Sequence, residues 1–221
     1  MSPAGPDAGA ELVAFVDESR KPVRDERTGA VAGSGDHYVV AAAVVMTGDV
    51  QSCREEVAAV AVAHNGARPL RWKDLGKQRR RDVVMSLIDL DHWDAFLYET
   101  KRPVSPRNLT DARVRALILR NALEDLSIVR GVVHATLETR SQPSKGFTTH
   151  DRRDNDVLQS LLSRGDVDPA FRISHDGKVE PLLWIADAVA GARTDFRCGV
   201  DREMYGLMAH RVQAIVSVRI L

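Results

Sequence analysis

Residues 12–19 read LVAFVDES: five apolar positions, Leu12 to Val16, run without a break into Asp17 and Glu18. An apolar run of this length suits a buried strand, and it follows a Pro-, Gly- and Ala-rich start at 1–10 whose composition predicts disorder. The next run of the same kind is Tyr38 to Met46, reached across a polar stretch between Arg20 and Asp36. A long hairpin or loop joining two strands is therefore expected.

Working outward from this pair, Asp49 is placed to cap a helix whose apolar positions Val50, Cys53, Val57, Val60 and Ala61 recur at helical spacing. A helix is predicted over Lys77 to Leu90, a third strand over Trp93 to Tyr98, and another helix over Leu109 to Leu126. Gly131 opens VVHATLE, read as a strand ending at Glu138, with a helix expected around Asn155 to Leu162 and a short strand at Phe171 to Ser174. Pro181 stands where a first helical turn tolerates it, and LLWIADAVAGA after it is apolar all round, as in a buried helix. The C-terminal QAIVSVRIL is β-branched and can close the sheet edge or pair with a second subunit as a homodimer. Strands alternating with helices argue for an α/β layered sheet, read as a single domain over 11–221.

The composition is 44% hydrophobic and 28% charged, which favours a globular chain over a disordered or membrane class. Thirty-one basic residues balance thirty-one acidic ones, so attraction to nucleic acid has to come from local patches. Cys53 and Cys198 show no CxxC spacing and are too few for a disulfide framework or a cysteine-built zinc site, and a reduced cytoplasm is expected. No stretch reads as an export signal or a membrane span.

Three elements that read as buried carry acids. LVAFV runs into Asp17 and Glu18, VVHATL runs into Glu138, and Asp187 is the one charge of LLWIADAVAGA. Burying an ionised carboxylate without a partner costs several kcal/mol, so each needs hydrogen bonds, a basic partner or a cation. One such acid is ordinarily a helix cap or half of a salt bridge, but three point to a common site if the strand ends meet at one edge of the sheet. Like charges about 4 Å apart repel by roughly 4 kcal/mol at an effective dielectric near 20, so a cluster keeps a proton or binds a cation. Oxygen ligands suit Mg²⁺ or Mn²⁺, and such ions can activate a water for phosphodiester hydrolysis. Glu18 is the weakest candidate, because neighbouring strand residues point to opposite faces.

The segments FVDES, HYVVAAAVV, RWKDL and above all EPLLWIADAVAGA resemble the bacterial domain-of-unknown-function family 3800, from Val13 to about Arg193. The resemblance implies a ribonuclease-H-like mixed β-sheet flanked by helices and a metal-dependent nuclease acting on RNA or DNA. It carries the family's first acid onto Asp17, its neighbours onto Glu18 and Ser19, its central acid onto Glu138 and its late acid onto Asp187. Asp17, Glu18, Glu138 and Asp187 are thus the expected catalytic set, with Asp17, Glu138 and Asp187 as ligands of Mg²⁺ or Mn²⁺.

The stretch ARPLRWKDLGKQRRRD (67–82) holds seven basic residues, Arg68, Arg71, Lys73, Lys77, Arg79, Arg80 and Arg81, against two acids. Arg71 and Lys73 are candidate phosphate contacts, and Trp72 either stacks on a base or sits in the core. In ETRSQPSKGFTTHDRRDND (138–156), Arg140 and Lys145 are further candidate substrate contacts, while Asp151 and Asp154 read as acids of an exposed helix start or as secondary metal ligands. The seven histidines have no HExxH or paired-ligand spacing, and GxGxxG, GxxxxGK[ST] and GxSxG are absent. Zinc hydrolase, dinucleotide, P-loop and serine-nucleophile chemistry are disfavoured. The alternative to a nuclease is a non-catalytic module that binds nucleic acid or protein, with a PIN-like nuclease as a lesser one.

Overall fold

A computed structural model describes residues 11–24, 31–102, 110–139 and 149–219. Its strands are β1 (Leu12–Arg24), β2 (Val31–Met46), β3 (Asp94–Arg102), β4 (Val132–Glu138), β5 (Arg172–Asp176) and β6 (Val212–Ser217). Its α-helices are α1 (Val50–Asn65), α2 (Lys77–Ile88), α3 (Asp111–Glu124), α4 (Thr149–Arg164), α5 (Leu182–Arg197) and α6 (Glu203–Met208). The strands form one sheet in the order β5-β4-β1-β2-β3-β6. β2 is antiparallel to β1 and β3, whereas β4 runs parallel to β1, β5 to β4 and β6 to β3. This is the mixed sheet flanked by helices expected of a ribonuclease-H-like α/β fold.

Strand alternation divides the core into two layers. Phe15, Val39, Ala41, Ala43 and Leu97 face one side, where they meet α1, α2, α5 and α6. Ala14, Val16, Val40, Ala42 and Tyr98 face the other, against α3, α4 and a five-residue π-helical turn at Asp125–Val129. The apolar helix α5 packs across β1 and β2, and between Leu182 and Asp195 every residue but Asp187 is buried. Gly191 makes this packing possible: a Cβ there would lie 2.3 Å from Trp72 Cδ1.

Several boundaries differ from the sequence reading. β1 does not stop at Asp17 but continues to Arg24, paired with β2 along a long hairpin. α4 begins at Thr149, a turn and a half before the expected start, because its first turns bury acids instead of apolar residues. α6 was not foreseen, being only six residues long. The C-terminal strand pairs with β3 of the same chain and so extends the sheet edge, its other edge lying outermost. Among the described residues no helix is long and apolar enough to cross a membrane.

Candidate metal centre

Asp17 follows Phe15 onto the α5 face of β1, and Glu138 reaches the same face at the end of β4. The parallel register of Val16 with Leu137 sets these two carboxylates beside one another. α5 lies over that face and brings down Asp187. The three acids singled out in the sequence therefore converge, and the group they surround is the ammonium of Lys178. Its Nζ is 2.7 Å from Asp17 Oδ2, 2.9 Å from Glu138 Oε2 and 3.7 Å from Asp187 Oδ2.

The backbone around this centre is fixed on both sides. Lys178 stands in the turn between β5 and α5, where its carbonyl accepts the Trp184 indole N–H at 2.7 Å. Glu180, closing the same turn, accepts the Leu182 N–H at 3.1 Å and the Arg54 guanidinium. Asp187 Oδ2 accepts the Trp72 backbone N–H at 2.9 Å, and Asp17 Oδ1 accepts the Glu18 N–H at 2.7 Å. Trp72 is itself held by its indole N–H, which donates to buried Asp195 at 2.8 Å.

Burial pushes the Asp17 carboxyl up to about 8, helped by its hydrogen bond to Glu138, while Lys178 pulls the other way. Asp187 is also raised, first by burial and then by the charge of Asp17, against the opposing pull of Lys178 and the Trp72 N–H. Burial would lower the Lys178 ammonium, but the charges of Asp17, Asp187 and Glu138 outweigh it and hold the pKa above its ordinary value. One ammonium faces three carboxylates, so negative charge remains even when Asp17 keeps a proton. A half-enclosed set of oxygen donors with surplus negative charge, already gathered around one cation, fits Mg²⁺ or Mn²⁺.

Glu18, placed in the expected catalytic set, lies elsewhere. It points to the opposite face of β1, where it accepts hydrogen bonds from the Tyr38 hydroxyl and, at 2.8 Å, from Arg115 Nε. Arg115 also bonds both oxygens of Asp154, and His175 approaches that carboxylate at 3.3 Å. Asp151 and Asp154 do not mark an exposed helix start: they are 2% and 1% exposed, the first accepting the Thr139 hydroxyl at 2.9 Å. Asp151, Asp154 and His175 offer ligand atoms within 4.8 Å of one another. Arg115 already neutralises Asp154, and the bonds from His175 and Arg115 overcome burial to hold its carboxyl below the usual range. Glu18, Arg115, Asp154 and His175 thus form a second, separate cluster of charged side chains.

The basic segment divides in two. Trp72 is buried, with the Arg80 guanidinium 4.7 Å above its ring, so the base-stacking reading gives way to the core reading. Arg80 also donates to the Trp72 carbonyl at 3.0 Å and to Asp195 at 3.1 Å. Lys77 and Arg81 approach Glu203 at 3.6 and 3.4 Å. Arg71 and Lys73 are exposed and flank the residue whose N–H holds Asp187. Arg140 and Lys145 lie outside the described residues. Lys178 escaped the sequence reading because a lysine in a polar Asp-Gly-Lys turn carries no periodic or compositional signal.

No protein-family model matches the sequence, and no curated protein does so. Among solved structures the chain is similar to an RNase HIII, a glutamine-to-alanine mutant of Bst-RNase HIII, at 14% identity and a TM-score of 0.44. The match covers 91% of this chain and 56% of that one, so the chain spans little more than half the length of this neighbour.

Proposed function

We propose that this protein is a divalent-metal-dependent nuclease of the ribonuclease-H-like kind, in which Asp17, Glu138 and Asp187 hold Mg²⁺ or Mn²⁺ and phosphodiester bonds of RNA or DNA are hydrolysed. The observation that carries the reading is the convergence of three acids, from β1, β4 and α5, on one cationic position. Ions of this type, when bound, supply Lewis acidity to the phosphoryl centre and its leaving oxygen. The chain's part is to present a rigid oxygen cradle: Asp187 oriented by the Trp72 N–H, Asp17 by the Glu18 N–H, and both fixed on regular elements. Arg71 and Lys73 would meet the phosphate backbone beside it. The segments FVDES, RWKDL and EPLLWIADAVAGA support membership of domain-of-unknown-function family 3800. A cytoplasmic location, a single domain over 11–221 and a homodimer formed through the outer edge of β6 belong to the same proposal.

The test is cleavage of labelled RNA, DNA and hybrid substrates in Mg²⁺ and in Mn²⁺, with Asp187→Asn as control. Asparagine keeps an oxygen for the Trp72 N–H but loses an anionic ligand, so metal-dependent cleavage should vanish while the metal-free fold persists. Absence of cleavage in the wild type together with absence of any metal-dependent shift in melting temperature would end this reading. One observation favours a second, non-catalytic reading: Lys178 contacts all three acids and could serve them as a permanent structural partner. A nucleic-acid-binding scaffold of that kind would bind its ligand equally well in a chelator.

A further inference from the structure

We propose that Lys178 is the resting counter-ion of the acid centre and is displaced from it when a divalent cation binds, so that the protein's own lysine limits its metal affinity. This inference rests on the metal centre proposed above and deepens it.

The geometry requires an exchange. Lys178 Nζ lies at 2.7, 2.9 and 3.7 Å from oxygens of Asp17, Glu138 and Asp187, at the point where those oxygens converge. A Mg²⁺ ion needs the same oxygens at about 2.0–2.1 Å. An ion so placed and an ammonium left in place would be neighbours without an anion between them, and their repulsion in a half-buried site excludes joint occupancy. Nor can three carboxylates facing one point stay ionised together without a cation, and the Lys178 ammonium is what offsets their mutual repulsion there. The lysine keeps them together while the centre is empty of metal.

The structure also says how the exchange proceeds. The Lys178 main chain is anchored by the Trp184 indole bond to its carbonyl, and α5 begins a few residues on, so the backbone need not move. The side chain is 15% exposed and ends a flexible four-carbon stem, which gives the ammonium a route to solvent. Arginine at this position would keep the positive charge on a larger, planar head. Methionine would keep the stem and remove the charge. Because the metal-competent state is the one with the lysine withdrawn, the apparent dissociation constant is raised by the inverse of that state's population.

The experiment titrates Mn²⁺ into the full chain, following free Mn²⁺ by electron paramagnetic resonance, for the wild type, Lys178→Met and Lys178→Arg. Each metal-free protein is first melted to establish that it is folded. Lys178→Met should bind Mn²⁺ at least roughly tenfold tighter than the wild type, and Lys178→Arg no tighter than the wild type. On the wild type alone, the ammonium resonance of Lys178 in an NMR spectrum should be observable without metal and be lost on adding Mg²⁺, which tests the inference even if Lys178→Met does not fold. Wild-type binding with an unchanged or weaker constant in Lys178→Met, or an ammonium signal indifferent to Mg²⁺ that does bind, overturns the displacement and leaves the metal centre standing. No Mn²⁺ binding by any of the three proteins overturns both.

Discussion

Asp17→Asn in the metal-free protein offers the most quantitative check of the acid centre. The folded chain holds this carboxyl at about 8, against an ordinary value of 3.8, so between those two limits the folded state binds a proton that the unfolded state releases. Stability linked to Asp17 is therefore complete below pH 3.8 and declines as the pH rises toward 8. At about 1.36 kcal/mol per pH unit, the decline amounts to roughly 4 kcal/mol by neutral pH. Asparagine does not titrate, and it reproduces the protonated acid's ability to donate toward Glu138 and accept from Lys178. Allowing for an imperfect hydrogen bond worth about 1 kcal/mol, Asp17→Asn should gain on the order of 3 kcal/mol at neutral pH. For a chain of this size that is a melting temperature higher by roughly 5–10 °C, shrinking toward zero near pH 4. Calorimetric melting of both proteins in chelator from pH 4 to pH 9 reads the effect directly. A variant that is less stable than the wild type at every pH, by a constant amount, would show that Asp17 is an ionised partner of Lys178 in the resting protein and that the burial argument is wrong.

Other outcomes follow from particular contacts. Gly191→Ala sets a methyl 2.3 Å from Trp72 Cδ1. It should cost about 1–3 kcal/mol through overpacking, lower the melting temperature, and loosen metal binding as well, since Trp72 is what orients Asp187. Arg71→Glu with Lys73→Glu alters two exposed residues and should leave stability within about 0.5 kcal/mol. Nucleic-acid affinity should fall and its logarithmic salt slope should flatten by about 0.7–0.9 per lost phosphate contact, and an unchanged slope would assign the pair to solubility alone.

The centre of the sheet was legible because β1 and β2 are buried on both faces over Ala14–Val16 and Tyr38–Val45 and so read as continuous apolar runs. The three acids were legible for the complementary reason: a charge at the end of such a run, or inside the apolar helix α5, has no local partner in the sequence. What supplies the partner was not legible. Lys178, Arg115, Trp72 and Arg80 come to their acids from remote parts of the chain, and nothing local to a lysine in a turn or an arginine on an amphipathic helix tells which carboxylate it will meet. Asp151 and Asp154 misled for the same reason. An acid in a polar helix start is usually solvated, and only the packing of α4 against β5 and α3 brings His175 and Arg115 over Asp154.

The adjacency of Asp17 and Glu138 depends on one irregularity in the sheet that no residue pattern announces. β4 pairs with β1 from Leu12 opposite Val132, but the next pair is Val13 with His134, so Val133 is passed over. Had the register run on unbroken, Asp17 would stand beside Leu137, and Glu138 would fall one position further along, opposite Glu18. Because side chains alternate with period two, it would then share the α3 face with Glu18 and Arg115. The shift aligns Val16 with Leu137, sets Glu138 next to Asp17 on the α5 face, and leaves Glu18 alone to meet Arg115. A single skipped residue thus sorts three strand-end acids between two centres: Glu18 goes to the partly buried Arg115, and Asp17 with Glu138 to a lysine on a flexible stem. Bulges are known to re-aim side chains beside functional sites, and here the re-aimed residue is the one that completes the cation cradle.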